Sequence, residues 1–315
     1  MTPTFKRPDH RPRRERIAST LSLACLRPGR PKAGTPQPLF MIGSGRSGNT
    51  LMRRVLMASG AIYIPPETYV VGQIIEAWQR SSLLPWRQRV WLFCAYFEQH
   101  SEFGTFGLSD LKDFANEAAK LPRKDRSLRT LFDTFYRYLG RQSGSDALRW
   151  GDKTPFNTYH LPAISKLFPD AQYLWLVRDA RDVALSYVAS GMYPDLRTAA
   201  ERWCDANAAC KHLASGGHDV RRQTYEALVS EPEDQFRGVF DWANLPFSTD
   251  VLTAHVPAMG DVDIRDHHQN VKNPISASSI GQWRERLSEQ EHIDIKTICG
   301  PQLREFGYDV GEATV

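Results

Sequence analysis

The chain has no C-x-x-C pair, no Asn-x-Ser/Thr acceptor and no apolar run longer than the eight residues of "VWLFCAYF". Five cysteines (Cys25, Cys94, Cys204, Cys210 and Cys299) are an odd number scattered over 315 residues. That argues against a disulfide framework or a thiolate zinc site and fits reduced thiols in a cytoplasmic protein. An eight-residue run is too short for a transmembrane segment. The missing glycosylation acceptor removes one sign of a secretory route. "RRERIASTLSLACL" has the basic start of a signal sequence, but Ser and Thr dilute its apolar part and "RPGRPKAGTPQP" offers no small-residue cleavage site.

A surplus of positive charge on the body of the protein is also missing. The formal charge is +4, yet nine of the 40 Lys/Arg and two of the 36 Asp/Glu fall in residues 1–37, so this segment is +7 and the remainder −3. Such a body is not built as a specific nucleic-acid binder, which displays a basic face on its folded domain. Residues 1–37 also carry six prolines and little apolar content, the composition of a disordered basic tail. A polybasic contact to an anionic surface is the alternative to a merely solvated tail. The expected organisation is this tail followed by one domain over residues 38–315.

Strand and helix signals alternate from Leu39 onward. "PLFMIG" reads as a buried strand, and Leu51, Met52, Val55 and Leu56 then recur at helical spacing until Gly60. "AIYI" is a second short strand, after which "ETYVVGQIIEAWQR" predicts a helix with Glu67 in its first turn. Residues 83–140 read as helical and aromatic, mostly core. "AQYLWLV" is the clearest buried strand and leads into a helix stopped by Gly191; "DVRRQTY" predicts one more strand, ended by Tyr225, and helices follow near 233–243, 280–290 and 293–305. There is no internal repeat. This order predicts an α/β fold: a single P-loop-like domain with a mainly parallel central sheet flanked by helices, its ligands beyond the carboxyl ends of the strands.

At the first of those ends stands "FMIGSGRSGNTLMRRVL", residues 40–56. Gly43, Gly48, Asn49 and Thr50 reproduce the spacing G-x-x-x-x-G-K-[ST], except that Asn49 replaces the lysine of nucleotide triphosphatases. A glycine-rich turn entering a helix still offers backbone N–H groups and a partial positive charge to an anion. The nearby cation is Arg46, whose guanidinium can grip an oxyanion through two parallel hydrogen bonds. A Walker-type aspartate for magnesium is also lacking: in "LWLVRDARD" Arg178 comes first.

These residues resemble a family. "GSGRSGNTLM" is similar to the 5′-phosphosulfate loop of sulfotransferases that use 3′-phosphoadenosine 5′-phosphosulfate (PAPS), and "YLWLVRDARDVALSY" to their 3′-phosphate motif, with Arg178 and then Ser186 on the following helix. "PPET", "GDKTPF", "TYEALVSEPE", "NVKNPIS", "SSIGQW" and "LREFGY" follow in the family's order, so the resemblance spans residues 39–308. It is strongest to bacterial sulfotransferases and the tyrosylprotein sulfotransferase branch. The resemblance implies that Gly45, Arg46, Ser47, Gly48, Asn49 and Thr50 hold the phosphosulfate and that Arg178 and Ser186 hold the ribose 3′-phosphate. It further implies that Tyr225 and Lys272 complete the nucleotide site, that 3′,5′-adenosine bisphosphate (PAP) is the product, and that no metal is required.

The implied chemistry is sulfuryl transfer to a hydroxyl of an acceptor: a sugar, a phenol, a lipid-linked glycan or tyrosine. Glu67 is the expected general base, with Arg46 and Lys153 stabilising charge. Each assignment has an alternative in the residues themselves. Glu67 could complement its own helix N-terminus, Lys153 could be a surface lysine and Tyr225 a core residue; His160, His267 and His268 are rival bases. Region 70–145, with Trp78, Trp86 and Trp91, is the expected acceptor wall, although such aromatics equally build cores. The competing functions are a P-loop nucleotide kinase and a non-catalytic nucleotide-binding interaction module.

Overall fold

The computed structural model describes residues 26, 28–31, 34–254 and 274–310; Lys272, His267 and His268 lie outside them. Five parallel strands form one sheet: β1 (Leu39–Gly43), β2 (Ile62–Tyr63), β3 (Arg149–Asp152), β4 (Gln172–Val177) and β5 (Asp219–Thr224), in the order β2-β3-β1-β4-β5. The chain leaves β1 towards β2 on one side, and leaves β4 towards β5 on the other. The crevice beyond β1 and β4 is therefore the topological switch point at which ligands bind in open α/β sheets.

Side-chain alternation assigns the two faces. Phe40 and Ile42 of β1 with Tyr173, Trp175 and Val177 of β4 enter one core, whereas Leu39, Met41, Leu174 and Leu176 enter the other. The second face is covered by α1 (Asn49–Ala58), α9 (Tyr225–Ser230) and α10 (Pro232–Ala243) through Met52, Val55, Leu56, Leu228, Phe236 and Phe240. Because both faces are covered, β1 and β4 read as continuous apolar runs rather than alternating ones. The first face carries α2 (Val71–Arg80), α3 (Trp86–Glu98), α4 (Lys112–Ala119), α5 (Leu128–Gln142), α6 (Leu161–Leu167), α7 (Ala180–Ala189), α8 (Leu196–Ser215) and, after the single turn α11 (Trp283–Arg286), α12 (Glu289–Glu305). Helix α5 starts where the Ser127 side chain accepts from Thr130 N. Its Phe132 and Phe135 pack against Phe93, Phe97 and Phe114 with ring centroids 4.3–5.4 Å apart. Each ring buried in this way contributes about 1.5–3 kcal/mol.

The structure departs from the sequence reading at four places. Strand β3 was not foreseen, because Trp150 is the sole large apolar residue in "RWGD" and no alternation marks it. Helix α2 begins at Val71, so Glu67 precedes it in a loop instead of sitting in its first turn. Tyr225 opens α9 instead of ending a strand. The helix expected near 280–290 is reduced to α11, and α12 begins at a Ser288–Glu291 capping box.

Ordered contacts also reach upstream of position 38. Leu26 is buried in the first core, Gly29 N donates to Lys166 O at 3.3 Å, and Gln37 O accepts from Arg149 Nε at 2.9 Å. Burying a leucine contributes about 1.5–3 kcal/mol. Deleting residues 1–37 should therefore lower Tm by roughly 3–12 °C relative to deleting 1–25. Differential scanning calorimetry of the two truncations checks this, and equal melting would show that the Leu26–Gln37 contacts contribute nothing.

Candidate functional site

The loop after β1 is built by close approach. Thr158 accepts from Gly43 N at 3.2 Å and donates to Gly43 O at 3.1 Å, which clamps the end of the strand. Arg46 (φ 64°) and Gly48 (φ 88°) are left-handed while Ser47 between them is not, an alternation that makes a concave nest of N–H groups. A Cβ on Gly48 would lie 2.7 Å from the Tyr225 ring, and one on Gly45 2.7 Å from the Tyr187 hydroxyl. Tyr187 in turn pairs with Ser44 Oγ at 3.1 Å. Asn49 Nδ2 donates to Ser44 O at 3.2 Å, so the amide in the lysine position closes the loop on itself.

The entrance of α1 at Gly48 carries no side-chain cap and no acidic residue in its first turn, leaving its N–H groups directed outward. Ser47 Oγ is fully buried and without a hydrogen-bond partner, as is Arg178 Nε. Polar atoms buried in this way are costly unless a ligand satisfies them. Together with the glycine cradle they fit an oxyanion with several acceptor oxygens.

Two arginines frame this concavity. Arg178, directly after β4, donates from Nη1 to Arg46 O at 3.1 Å and from Nη2 to Ser279 O at 2.6 Å, and its guanidinium lies 4.6 Å from the centre of the Tyr225 ring. Arg46 Nε donates to Ser186 Oγ on α7 at 2.9 Å. Burial, the largest influence, holds the Arg46 guanidinium below the ordinary arginine value; Tyr187 opposes this, Arg178 adds to it and Glu67 opposes it. The loop after β1 and the helix after β4 therefore form one cationic, desolvated centre. Asp179, next to Arg178, is held by Arg181 in a salt bridge of 2.6 Å.

Glu67 and Lys153 meet beside it. Lys153 Nζ donates to Glu67 Oε1 at 2.8 Å, with the lysine side chain 1% and the glutamate 17% exposed. This removes the readings of Lys153 as a surface residue and of Glu67 as a helix-terminal carboxylate. His160 is elsewhere: it sits beneath Gly72 of α2, 3.8 Å from Glu76, and its ring packs edge-on against Phe156. Trp78 is core and packs edge to face at 5.9 Å on the half-buried Trp86, with Arg89 over Trp78, while Trp91 is exposed.

Sequence reasoning missed Thr158, Tyr187, Ser279 and the carboxylate of Asp152. Tyr187 and Asp152 adjoin assigned residues, Ser186 and Lys153, and that adjacency was the available signal. Ser186 itself acts first on Arg46. Ser186→Ala should release Arg46 and weaken binding of both PAP and adenosine 5′-phosphosulfate by about 3–10-fold, the worth of one hydrogen bond. Titration calorimetry with the two ligands checks this, and a loss confined to PAP would instead make Ser186 a dedicated 3′-phosphate ligand.

Comparison with known proteins agrees with this geometry. The family model described as "Sulfotransferase family" matches residues 38–249. Protein-tyrosine sulfotransferase A of Caenorhabditis elegans is 26% identical over 290 residues, covering 86% of this chain and 67% of its own length. Protein-tyrosine sulfotransferase 1 of Homo sapiens is 26% identical over 291 residues, covering 86% and 70%. Among solved structures, the sulfotransferase domain of a Synechococcus olefin synthase superposes with a TM-score of 0.60 at 21% identity, over 90% of this chain and 99% of that one. The sulfotransferase domain of the curacin biosynthetic pathway gives 0.58 at 19%, over 88% and 99%. The described residues contain no cluster of metal-ligating side chains and no helix long and apolar enough to cross a membrane. With a family model matched across most of the sheet and its covering helices, this chain belongs to the sulfotransferase family, and it is a sulfotransferase enzyme.

Proposed function

We propose that the protein transfers a sulfuryl group from PAPS to a hydroxyl of an acceptor, with Glu67 as general base. The observation that carries this reading is the 2.8 Å Lys153–Glu67 pair set beside the Arg46–Arg178 centre. The uncapped start of α1, the buried Ser47 hydroxyl and Arg46 would face the phosphosulfate; Arg178 and Tyr225 would take the 3′-phosphate and adenine. The acceptor oxygen attacks sulfur as its proton passes to Glu67; a new S–O bond forms, the bond from sulfur to the bridging phosphate oxygen breaks, and PAP leaves with the electron pair. Charge on that oxygen is met by Lys153, Arg46 and loop amides, the electrostatic contribution expected to dominate such a transfer. Lys153 is suited to both roles, since it touches the base before the reaction and can turn to the leaving oxygen as negative charge moves there.

A neutral alcohol or phenol requires a positioned base, which favours oxygen acceptors. The named relatives act on protein tyrosine, so a tyrosine peptide heads the acceptor panel, followed by phenols, sugars and lipid-linked glycans. Calorimetry with PAP and a radiolabelled-PAPS screen over that panel test the proposal. Absence of PAP binding at near-millimolar ligand would overturn it, and PAP binding without transfer to any acceptor would favour a non-catalytic nucleotide-binding module.

A further inference from the structure

We propose that Asp152 is a positioning residue: its buried carboxylate latches a strained turn and thereby aims Glu67 at Lys153. This rests on the reading of Glu67 as the base.

The segment after Glu67 is bent in an unusual way. Val70 N donates to Thr68 O at 2.5 Å across Tyr69, whose φ is 53°. A hydrogen bond from residue i+2 to i across a positive φ is a γ-turn of the rare, strained kind, here on a residue with a bulky side chain. Strain of this sort persists where the surroundings over-determine it.

The surroundings that do so converge on one carboxylate, 1% exposed, at the end of β3. Asp152 Oδ2 accepts from Thr68 Oγ1 at 2.7 Å and from the Tyr136 hydroxyl of α5. Asp152 Oδ1 accepts from Thr154 N and from Asn157 Nδ2, both at 2.8 Å. Thr154 Oγ1 then accepts from Thr68 N at 2.8 Å, which closes the ring of bonds. Tyr136 is locked in turn by stacking on Trp150, with centroids 4.0 Å apart. Burial, reinforced by Asp152, pushes its hydroxyl well above the usual phenol range and so keeps it a donor.

The consequence lies in the chain order. Thr68 is next to Glu67, and Asp152 and Thr154 flank Lys153. One carboxylate therefore fixes the backbone on both sides of the pair, joining the loop after β2 to the loop after β3. With its oxygen toward Thr154 N and Asn157 Nδ2, an asparagine at 152 would face the Thr68 and Tyr136 hydroxyls with an amide donor, so both of those bonds must reverse direction or break.

The test uses the full chain and reads transfer of radiolabelled sulfate from PAPS to water, to para-nitrophenol and to a tyrosine peptide. Asp152→Asn and Thr68→Val should each lower kcat about 10²-fold, the scale of a small misplacement of a reacting group. PAP affinity and KM for PAPS should change less than about twofold, because the latch touches neither the loop after β1 nor Arg178. Thr68→Ser, which keeps the hydroxyl, should turn over like the parent. A structural role would not produce the decisive result: in a Glu67→Gln background Thr68→Val should cost nothing further, since both act through Glu67. Losses that multiply, or full turnover by Thr68→Val, would overturn the proposal. If Asp152→Asn does not fold, Thr68→Val, Thr68→Ser and Tyr136→Phe with Glu67→Gln decide it on the same criteria. Full turnover by Glu67→Gln would remove the base assignment, and with it the latch. An inactive Glu67→Gln beside an active Thr68→Val would remove the latch alone. Transfer to none of the three acceptors by the parent protein would overturn both.

Discussion

Glu67→Gln should bind PAP as tightly as the parent and turn over about 10²–10⁴-fold more slowly, the usual worth of a positioned general base. The substitution is clean because of the geometry around it. Glutamine keeps an oxygen that can accept from Lys153 Nζ, which now lies 2.8 Å from Glu67 Oε1, so the lysine need not move. What is lost is the capacity to take a proton. Lys153→Ala provides the complementary measurement: it removes a buried cation from the site and leaves Glu67 17% exposed without its partner, so turnover falls although the base is intact. Steady-state rates with labelled PAPS, paired with PAP calorimetry, separate the two effects. Normal turnover by Glu67→Gln would direct the search to His160, His267 and His268. Of these, His160 would first have to leave its place beneath Gly72 and beside Glu76.

Arg178→Ala should weaken PAP binding about 10–150-fold, corresponding to about 1.5–3 kcal/mol for hydrogen bonds to a charged group. Adenosine 5′-phosphate, which lacks the 3′-phosphate, should lose much less. The difference between the ligands is the informative quantity, because Arg178 also serves the protein: it bonds Arg46 O at 3.1 Å and Ser279 O at 2.6 Å. Losing those bonds loosens the loop after β1 for every nucleotide, and the comparison cancels that part. Its unpartnered Nε is one of the donors left for a phosphate oxygen. Arg178→Lys should fall between the two, since an ammonium retains the charge but cannot span two carbonyls and a phosphate with one rigid fork. Equal losses for PAP and adenosine 5′-phosphate in titration calorimetry would show that Arg178 organises the loop without binding the 3′-phosphate.

Much of this architecture is legible in the residues. "LFMIG" and "QYLWLV" are apolar enough to declare buried parallel strands, and the glycines at 45 and 48 with Arg46 between them declare an anion loop, because few other arrangements use those residue types in that order. Local chemistry therefore determined the two central strands, the loops that end them and the cationic character of the site. "RWGD" declares nothing, since it becomes a strand solely by pairing with β1 and β2 on either side. The sequence likewise places Glu67 and Lys153 86 residues apart, and their contact exists because β2 and β3 are neighbours in the sheet. The tertiary structure also decided the turn at Tyr69 and the carboxylate that holds it. Neither follows from propensity: a positive φ at tyrosine is disfavoured in the isolated chain and is held here by bonds from three separate segments to Asp152.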